Sequence, residues 1–215
     1  MQLAQKIKQF PQEIKIFLVI FYTVGIIAIY TPFTSSFFMA LTPLALMMSF
    51  GFLMVFHYDF DIKSIRVFSF ILVLGYLIEV IGVNTGLIFG SYKYGDDLGY
   101  KLFETPLIIG FNWLLMIYIT ASMVENLKAG TLNKILLASG LMIIYDLVLE
   151  QLAPKLDFWH WENNIIPMQN YIAWFCIAVF FHSLLKIYKI KTINTLSLTI
   201  YLCQVLFFFA LLFRK

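Results

Sequence analysis

Seven long apolar runs alternate along this chain with short polar breaks. They cover approximately residues 14–31, 37–56, 65–83, 105–124, 133–150, 166–186 and 193–213. Each approaches the roughly 20 mainly apolar residues that a helix needs to cross a bilayer. The runs are continuous, with none of the alternation of a membrane-facing strand. The pattern therefore predicts an all-α polytopic bundle of about seven transmembrane helices in a single integral membrane domain, residues 1–215. The basic tail Arg214-Lys215 weighs mildly against the seventh span, so six remain open.

Composition strengthens this reading. Of the 215 residues, 61% are hydrophobic and 13% charged. A soluble domain carries about 45–50% apolar and about 25% charged residues. Mean hydropathy is +0.87. The N-terminal MQLAQKIKQFPQEIK is polar and basic, and no small-residue cleavage site follows the first run, so no cleavable signal peptide is expected. Cys176 and Cys203 both lie in apolar runs, which argues against a disulfide framework.

Net charge is only +3, but its placement is informative. Ten Lys and Arg residues, from Lys6 to Lys191, fall on one face of the predicted topology; Lys93, Lys101, Lys155, Arg214 and Lys215 fall on the other. The positive-inside tendency then puts the N-terminus in the cytoplasm. The two long loops, about 84–104 and 151–165, face outward. They hold most of the Asp, Glu, Trp and Tyr near the membrane surface.

Several polar residues interrupt the spans near that outer boundary. Glu79 lies roughly 6 Å below the end of the third span, at 1.5 Å per residue. A carboxylate there costs a few kcal/mol unless it is protonated, paired or facing a wet cavity. Asn84-Thr85-Gly86 reads as a helix stop. Tyr92 and Tyr94 follow in a turn-rich loop, where tyrosines also serve as plain interfacial anchors. Asn112-Trp113 lies just inside the fourth span; a buried Asn there is expected to hydrogen-bond across helices. Asp146 and Glu150 are spaced i, i+4 and share a helix face. Two carboxylates about 6 Å apart repel when both are ionised, so one is expected to hold a proton, as a general acid must. Trp159, Trp161, Asn170 and Trp174 complete the set, with Asn170 and Trp174 again i, i+4. An interfacial belt and a polar helix end are the plain alternatives.

Glu79, Asn112, Asp146, Glu150, Asn170 and Trp174 come from four spans at similar depth, so they can line one cavity. The chain has no HExxH, P-loop, GxGxxG or GxSxG pattern, and its three His residues are scattered. No metal or other cofactor is evident, and nothing points to nucleic acid.

Taken together, E…NTGxxFGxYxY, a Pro opening a span followed by NW, D-x-x-x-E, FWHWE and P-x-Q-N-Y-x-x-W resemble the carotenoid 1′,2′-hydratase family of bacterial and archaeal carotenoid biosynthesis. The resemblance covers about residues 75–186. Where the family has Pro after the glutamate of D-x-x-x-E, this chain has Gln151, with Pro154 further on. The resemblance implies a cofactor-independent hydro-lyase in the inner cell membrane. It would take an acyclic ψ-end carotenoid such as lycopene or γ-carotene from the bilayer and add water to its terminal 1′,2′ double bond. Other enzymes of the pathway would be its partners. In that picture Asp146 donates the proton and Glu150 or Glu79 is the partner base. Asn84, Asn112 and Asn170 orient water, while Trp113, Trp159, Trp161, Trp174, Tyr92 and Tyr94 wall the site and shield a tertiary carbocation. Exchanging the roles of Asp146 and Glu79 fits nearly as well. A lycopene-type cyclase and a non-catalytic carotenoid- or lipid-binding protein are the competing readings. A retinal protein is excluded for lack of a lysine in the last span, and no repeat symmetry suggests a transporter.

Overall fold

A computed structural model describes residues 2–214; Lys215, one of the charges counted above, lies outside them. The described residues form a helical bundle. A short α1 (Gln2–Ile7) precedes α2 (Pro11–Tyr30), α3 (Ser35–Ala40), α4 (Thr42–Val55) and α5 (Ile62–Thr85). Three two- or three-residue strands follow, β1 (Tyr92–Tyr94), β2 (Lys101–Leu102) and β3 (Thr105–Pro106). Then come α6 (Ile108–Glu125), α7 (Thr131–Glu150), β4 (Trp159–Trp161), α8 (Met168–Ile187) and α9 (Ser197–Leu211). Five helices, α2, α5, α6, α7 and α8, are long and apolar enough to cross a membrane.

The other two predicted spans differ from expectation. The run at 37–56 is broken at Leu41, where α3 ends and α4 starts with Pro43 in its first turn. Proline lacks the N–H needed to continue the helix from the preceding turn. The run at 193–213 yields only the 15 residues of α9, about 22 Å of helix at 1.5 Å per residue. The fourth span starts at Ile108 instead of 105, because Thr105–Pro106 pairs with Lys101–Leu102 in a hairpin.

Helix α6 forms the centre. It is apolar on all sides, and Trp113, Met116, Ile117, Tyr118 and Ile119 have no exposed surface, as expected for a helix surrounded by others. Helices α4, α5, α7, α8 and α9 all pack on it. The outer helices instead expose apolar side chains such as Val73, Leu77 and Ile81 of α5. A chain that keeps its apolar surface outward suits lipid as its solvent.

Helix α5 is well specified at both ends. Asp61 caps its first turn by accepting the Ser64 N–H at 2.7 Å. Gly86 stops it with φ +67°, a left-handed conformation that favours glycine. Near the middle, a Cβ on Gly75 would lie 2.8 Å from the Trp113 Cβ. The missing side chain lets α5 approach α6 closely, which seats Glu79 against Trp113.

The two long loops are joined. Strand β1 pairs antiparallel with β4, in the register Tyr92↔Trp161, Lys93↔His160 and Tyr94↔Trp159. Side chains alternate across such a ribbon. Its four large aromatics point one way, onto the helix ends, while Lys93 and His160 point the other way. The ribbon covers the bundle end where α5 and α7 finish and α6 and α8 begin.

Candidate functional site

Three buried carboxyl groups lie beneath the ribbon. Glu79 from α5 is 3% exposed; Asp146 and Glu150 from α7 are 0% and 2% exposed. Their hydrogen bonding differs sharply. Glu79 Oε2 accepts from the hydroxyls of Tyr92 at 2.7 Å and Tyr94 at 2.8 Å, and Oε1 accepts from Trp113 Nε1 at 3.0 Å. Glu150 Oε2 accepts from the indoles of Trp159 at 3.0 Å and Trp161 at 2.6 Å, and Oε1 accepts from Asn170 Nδ2 at 2.8 Å. Each glutamate therefore has three donors, which is what a buried carboxylate requires. Asp146 has one, Asn170 Nδ2, at a longer 3.3 Å to Oδ2, and its Oδ1 has no protein partner.

The ribbon register explains these partners. Tyr92 and Tyr94 are two residues apart on β1 and reach Glu79; Trp159 and Trp161 are two apart on β4 and reach Glu150. Tyr92 packs on Trp161 with ring centroids 5.0 Å apart, and Tyr94 meets Trp159 edge-on at 6.2 Å. Burial, followed by the neighbouring Glu79 carboxyl, pushes both phenols well above their ordinary value, so they remain O–H donors. The ribbon is tied down at its tip by Asp157, whose Oδ2 accepts the Asp96 N–H at 2.9 Å and whose Oδ1 is 2.7 Å from His160 Nε2. The His160 bond and then the Asp96 N–H hold the Asp157 carboxyl below its ordinary value.

Between the glutamates lies a cavity of about 30 Å³, lined by Glu79, Glu150, Tyr92, Tyr94, Trp159, Trp161, Asn112, Asn170 and Trp174. Phe89 and Ile109 complete the wall. One water needs about 10–15 Å³ by this measure, so the cavity is of water size. Asn112 supplies an open acceptor, since its buried Oδ1 has no protein partner.

Most of the residues predicted for the site are thus gathered in one place. Trp113 and Asp146 lie behind the cavity wall, not in it. Trp113 stacks on Trp174 with centroids 4.2 Å apart, and Asp146 sits behind Asn170, one turn of α7 deeper than Glu150. Asn84 lies apart. It is exposed, and its Nδ2 donates to Val80 O at 2.8 Å and Phe103 O at 3.1 Å, tying the end of α5 to the β2–β3 hairpin. Phe89 and Ile109 were not singled out as lining. Phe89 stands in the NTGxxFG pattern and was the legible one; Ile109 has no signal beyond being apolar. Gln151 ends α7, and the chain turns through a short 3₁₀ segment, Ala153–Leu156, that contains Pro154. Among the described residues no cluster of three or more His, Cys, Asp or Glu is arranged to hold a metal ion.

The site and fold define a helical membrane protein with a carboxylate- and indole-lined pocket just inside one bundle end. The sequence model of the family described as "Carotenoid biosynthesis protein" matches residues 36–214. The chain belongs to that family. The match extends beyond the 75–186 core on both sides. The chain is also similar to a bisanhydrobacterioruberin hydratase from Haloarcula japonica, with 31% identity over 112 residues. That alignment covers 46% of this chain and 36% of the relative, so it spans little more than a third of the relative's length. No solved structure matches.

Proposed function

We propose that this chain is a carotenoid hydratase. It adds water across the terminal 1′,2′ double bond of an acyclic ψ-end carotenoid of the lycopene or γ-carotene type. The single observation that carries this reading is the unequal hydrogen bonding of three buried carboxyls around a water-sized cavity. The hydratase name of the haloarchaeal relative supports it.

The reaction needs a proton for C-2′, a shielded tertiary cation at C-1′, and a water with somewhere to send a proton. Asp146 is the acid. It is the carboxyl without a donor set for an anion, and it lies deeper in the bundle, on the side from which an apolar end group arrives. Its proton forms the new C–H bond as the double bond opens. Indole faces of Trp174 and the ribbon tryptophans stabilise the cation. Water held at Asn112 Oδ1 between the two glutamates then forms the C–O bond at C-1′. Glu150 accepts the proton that this water loses. Asn170 Nδ2 donates to both Asp146 and Glu150 and holds the two carboxyls in place, and return of the proton from Glu150 to Asp146 by way of the next water to enter restores the starting state. Glu79, bonded to both tyrosines of β1 and to Trp113, holds the ribbon in place.

The cavity in its present form is too small for a five-carbon end group. Substrate reaches it, and the Asp146 carboxyl behind its wall, by displacing Trp174 from its stack on Trp113. The alternative outcome for the same cation, capture by an internal double bond to give a ring, is disfavoured by the two amides and the water-sized space. In this reading the chain spans the inner cell membrane with a cytoplasmic N-terminus; α3–α4 together and α9 complete seven passes. The test is expression in lycopene-accumulating bacteria, with pigments analysed by chromatography and mass spectrometry. A mass gain of one or two waters is expected. An isomer of unchanged mass and altered absorption would show cyclisation instead.

A further inference from the structure

A second cavity lies away from the carboxylates. It holds about 100 Å³ between α2, α4 and α9, and its wall includes Gly25, Leu46, Phe207 and Phe208. Val24, on its rim, is 49% exposed on the bundle surface, so the cavity opens toward the surface that faces lipid. The wall is mainly apolar, with three polar side chains, Tyr22, Thr42 and Gln204, of which Thr42 already donates its hydroxyl to Met39 O at 2.7 Å. Gln204, 1% exposed, lies in the wall, and its buried Oε1 has no protein partner. The rest of the amide is engaged, with Nε2 donating to the Tyr22 hydroxyl at 3.3 Å; that hydroxyl also shares a hydrogen bond with Ser49 Oγ at 2.9 Å. Leaving a buried amide oxygen unpaired costs about 1–3 kcal/mol.

We propose that this cavity binds the end of a branched aliphatic chain that carries one hydroxyl group. The hydroxyl donates to Gln204 and the branched carbons fill the apolar wall. A water would meet this cavity poorly. It needs two to four polar partners, and of the two other polar groups in the wall the Tyr22 hydroxyl is engaged by Ser49 and Gln204 and the Thr42 hydroxyl already donates to Met39 O. A hydroxyl on an apolar body needs only the single bond on offer. Size agrees: an apolar cavity of about 150 Å³ holds a benzene ring, so two-thirds of that volume suits about four or five carbons. Exchanging the amide's O and N changes nothing, because a hydroxyl both donates and accepts.

The place of the cavity suggests which alcohol it takes. Phe208 lines it and also contacts Tyr145 at 5.9 Å and Phe158 at 6.3 Å between ring centroids. Phe158 in turn packs on Trp159, a donor to Glu150, so a path of aromatic contacts leads from this cavity to the carboxylates. The proposed hydration produces a tertiary alcohol on a branched end group. This cavity then holds the hydrated end as it leaves. That identification of the ligand rests on the proposed reaction; the cavity's demand for a hydroxyl does not.

The test compares 2,6-dimethylheptan-2-ol with 2,6-dimethylheptane as ligands of the full chain in detergent micelles, read by the thermal unfolding midpoint. The alcohol is expected to stabilise the protein more than the hydrocarbon. Gln204→Leu is expected to weaken alcohol binding about tenfold, as for one hydrogen bond of ordinary strength, and to erase the preference. Ala45→Phe, which fills the cavity, is expected to abolish binding of both. Equal stabilisation of the wild type by the two compounds, or a preference that survives either substitution, overturns the site. Binding needs no turnover. A chain that hydrates no carotenoid yet prefers the alcohol keeps the site and refutes the catalytic reading. One that hydrates lycopene without the preference refutes the site alone.

Discussion

Asp146→Asn and Glu79→Gln are both near-isosteric changes of a buried carboxyl, yet the structure predicts opposite balances of folding and activity. At Asp146 little structure depends on the charge. Its one hydrogen bond is the 3.3 Å contact from Asn170, which an amide oxygen can keep, and its Oδ1 is already unpaired. The expected change in folding free energy is within about 1 kcal/mol, the worth of an ordinary hydrogen bond. The amide cannot give up a proton, however. Loss of a general acid typically costs 10²–10⁴-fold, and an unactivated alkene sets the demand at the upper end, ~10⁴-fold. At Glu79 the reverse holds. Three donors converge on the carboxylate, and a glutamine must turn its NH₂ toward one of them. Turned toward the tyrosines, its two N–H groups face two O–H donors, and both phenols must rotate into accepting roles; turned toward Trp113, it faces an indole N–H that cannot accept. The expected cost is about 1.5–3 kcal/mol, the range for a hydrogen bond to a charged group. Hydration should survive in whatever fraction remains folded. Unfolding in mixed micelles and pigment analysis of the same membranes give the two readouts. An Asp146→Asn chain that hydrates within tenfold of the wild type refutes the assignment of the acid. A well-folded Glu79→Gln chain without activity would transfer the acid role to Glu79.

Three further outcomes follow from the same geometry. Trp161→Phe keeps a ring against Tyr92 but removes the 2.6 Å donor to Glu150; about 1.5–3 kcal/mol of support for the carboxylate is lost, and the hydration rate in isolated membranes should fall roughly 10–100-fold. Gly75→Ala places a Cβ 2.8 Å from the Trp113 Cβ, and forcing α5 from α6 should destabilise the fold by about 1–3 kcal/mol, seen as earlier unfolding in micelles. The Asp157 carboxyl is held below its ordinary value, so its contribution to the ribbon tip is complete above pH of about 4 and is lost as pH falls through the lower folded value. Protection of the Gly95 and Asp97 amides, which bond to the Phe158 and Asp157 carbonyls, measured as hydrogen exchange relative to the unstructured rate at the same pH, should fall in acid. Asp157→Asn should remove that acid dependence.

The sequence by itself determined the solvent and the cast of residues. Runs of some 20 apolar residues leave the backbone no option in lipid but to satisfy itself as helix, so α2, α5, α6, α7 and α8 were legible. So was the clustering of Glu79, Asn112, Asp146, Glu150, Asn170 and Trp174 near one bundle end, because helix rise converts sequence position into depth. Helix breaks were less legible. Hydropathy does not register that Pro43 divides one apolar run, or that backbone pairing delays the start of α6 to Ile108. The tertiary structure alone decided the pairing of β1 with β4. Nothing local in Tyr-Lys-Tyr or Trp-His-Trp announces a partner some 65 residues away, since strand pairing is fixed by the register between them. That register turns four interfacial-looking aromatics into hydrogen-bond donors for two buried glutamates, sets Asn84 aside as a helix-end tie, and leaves Asp146 as the carboxyl without a full set of partners. Equal acids in the sequence become unequal because the donors that distinguish them arrive from distant segments.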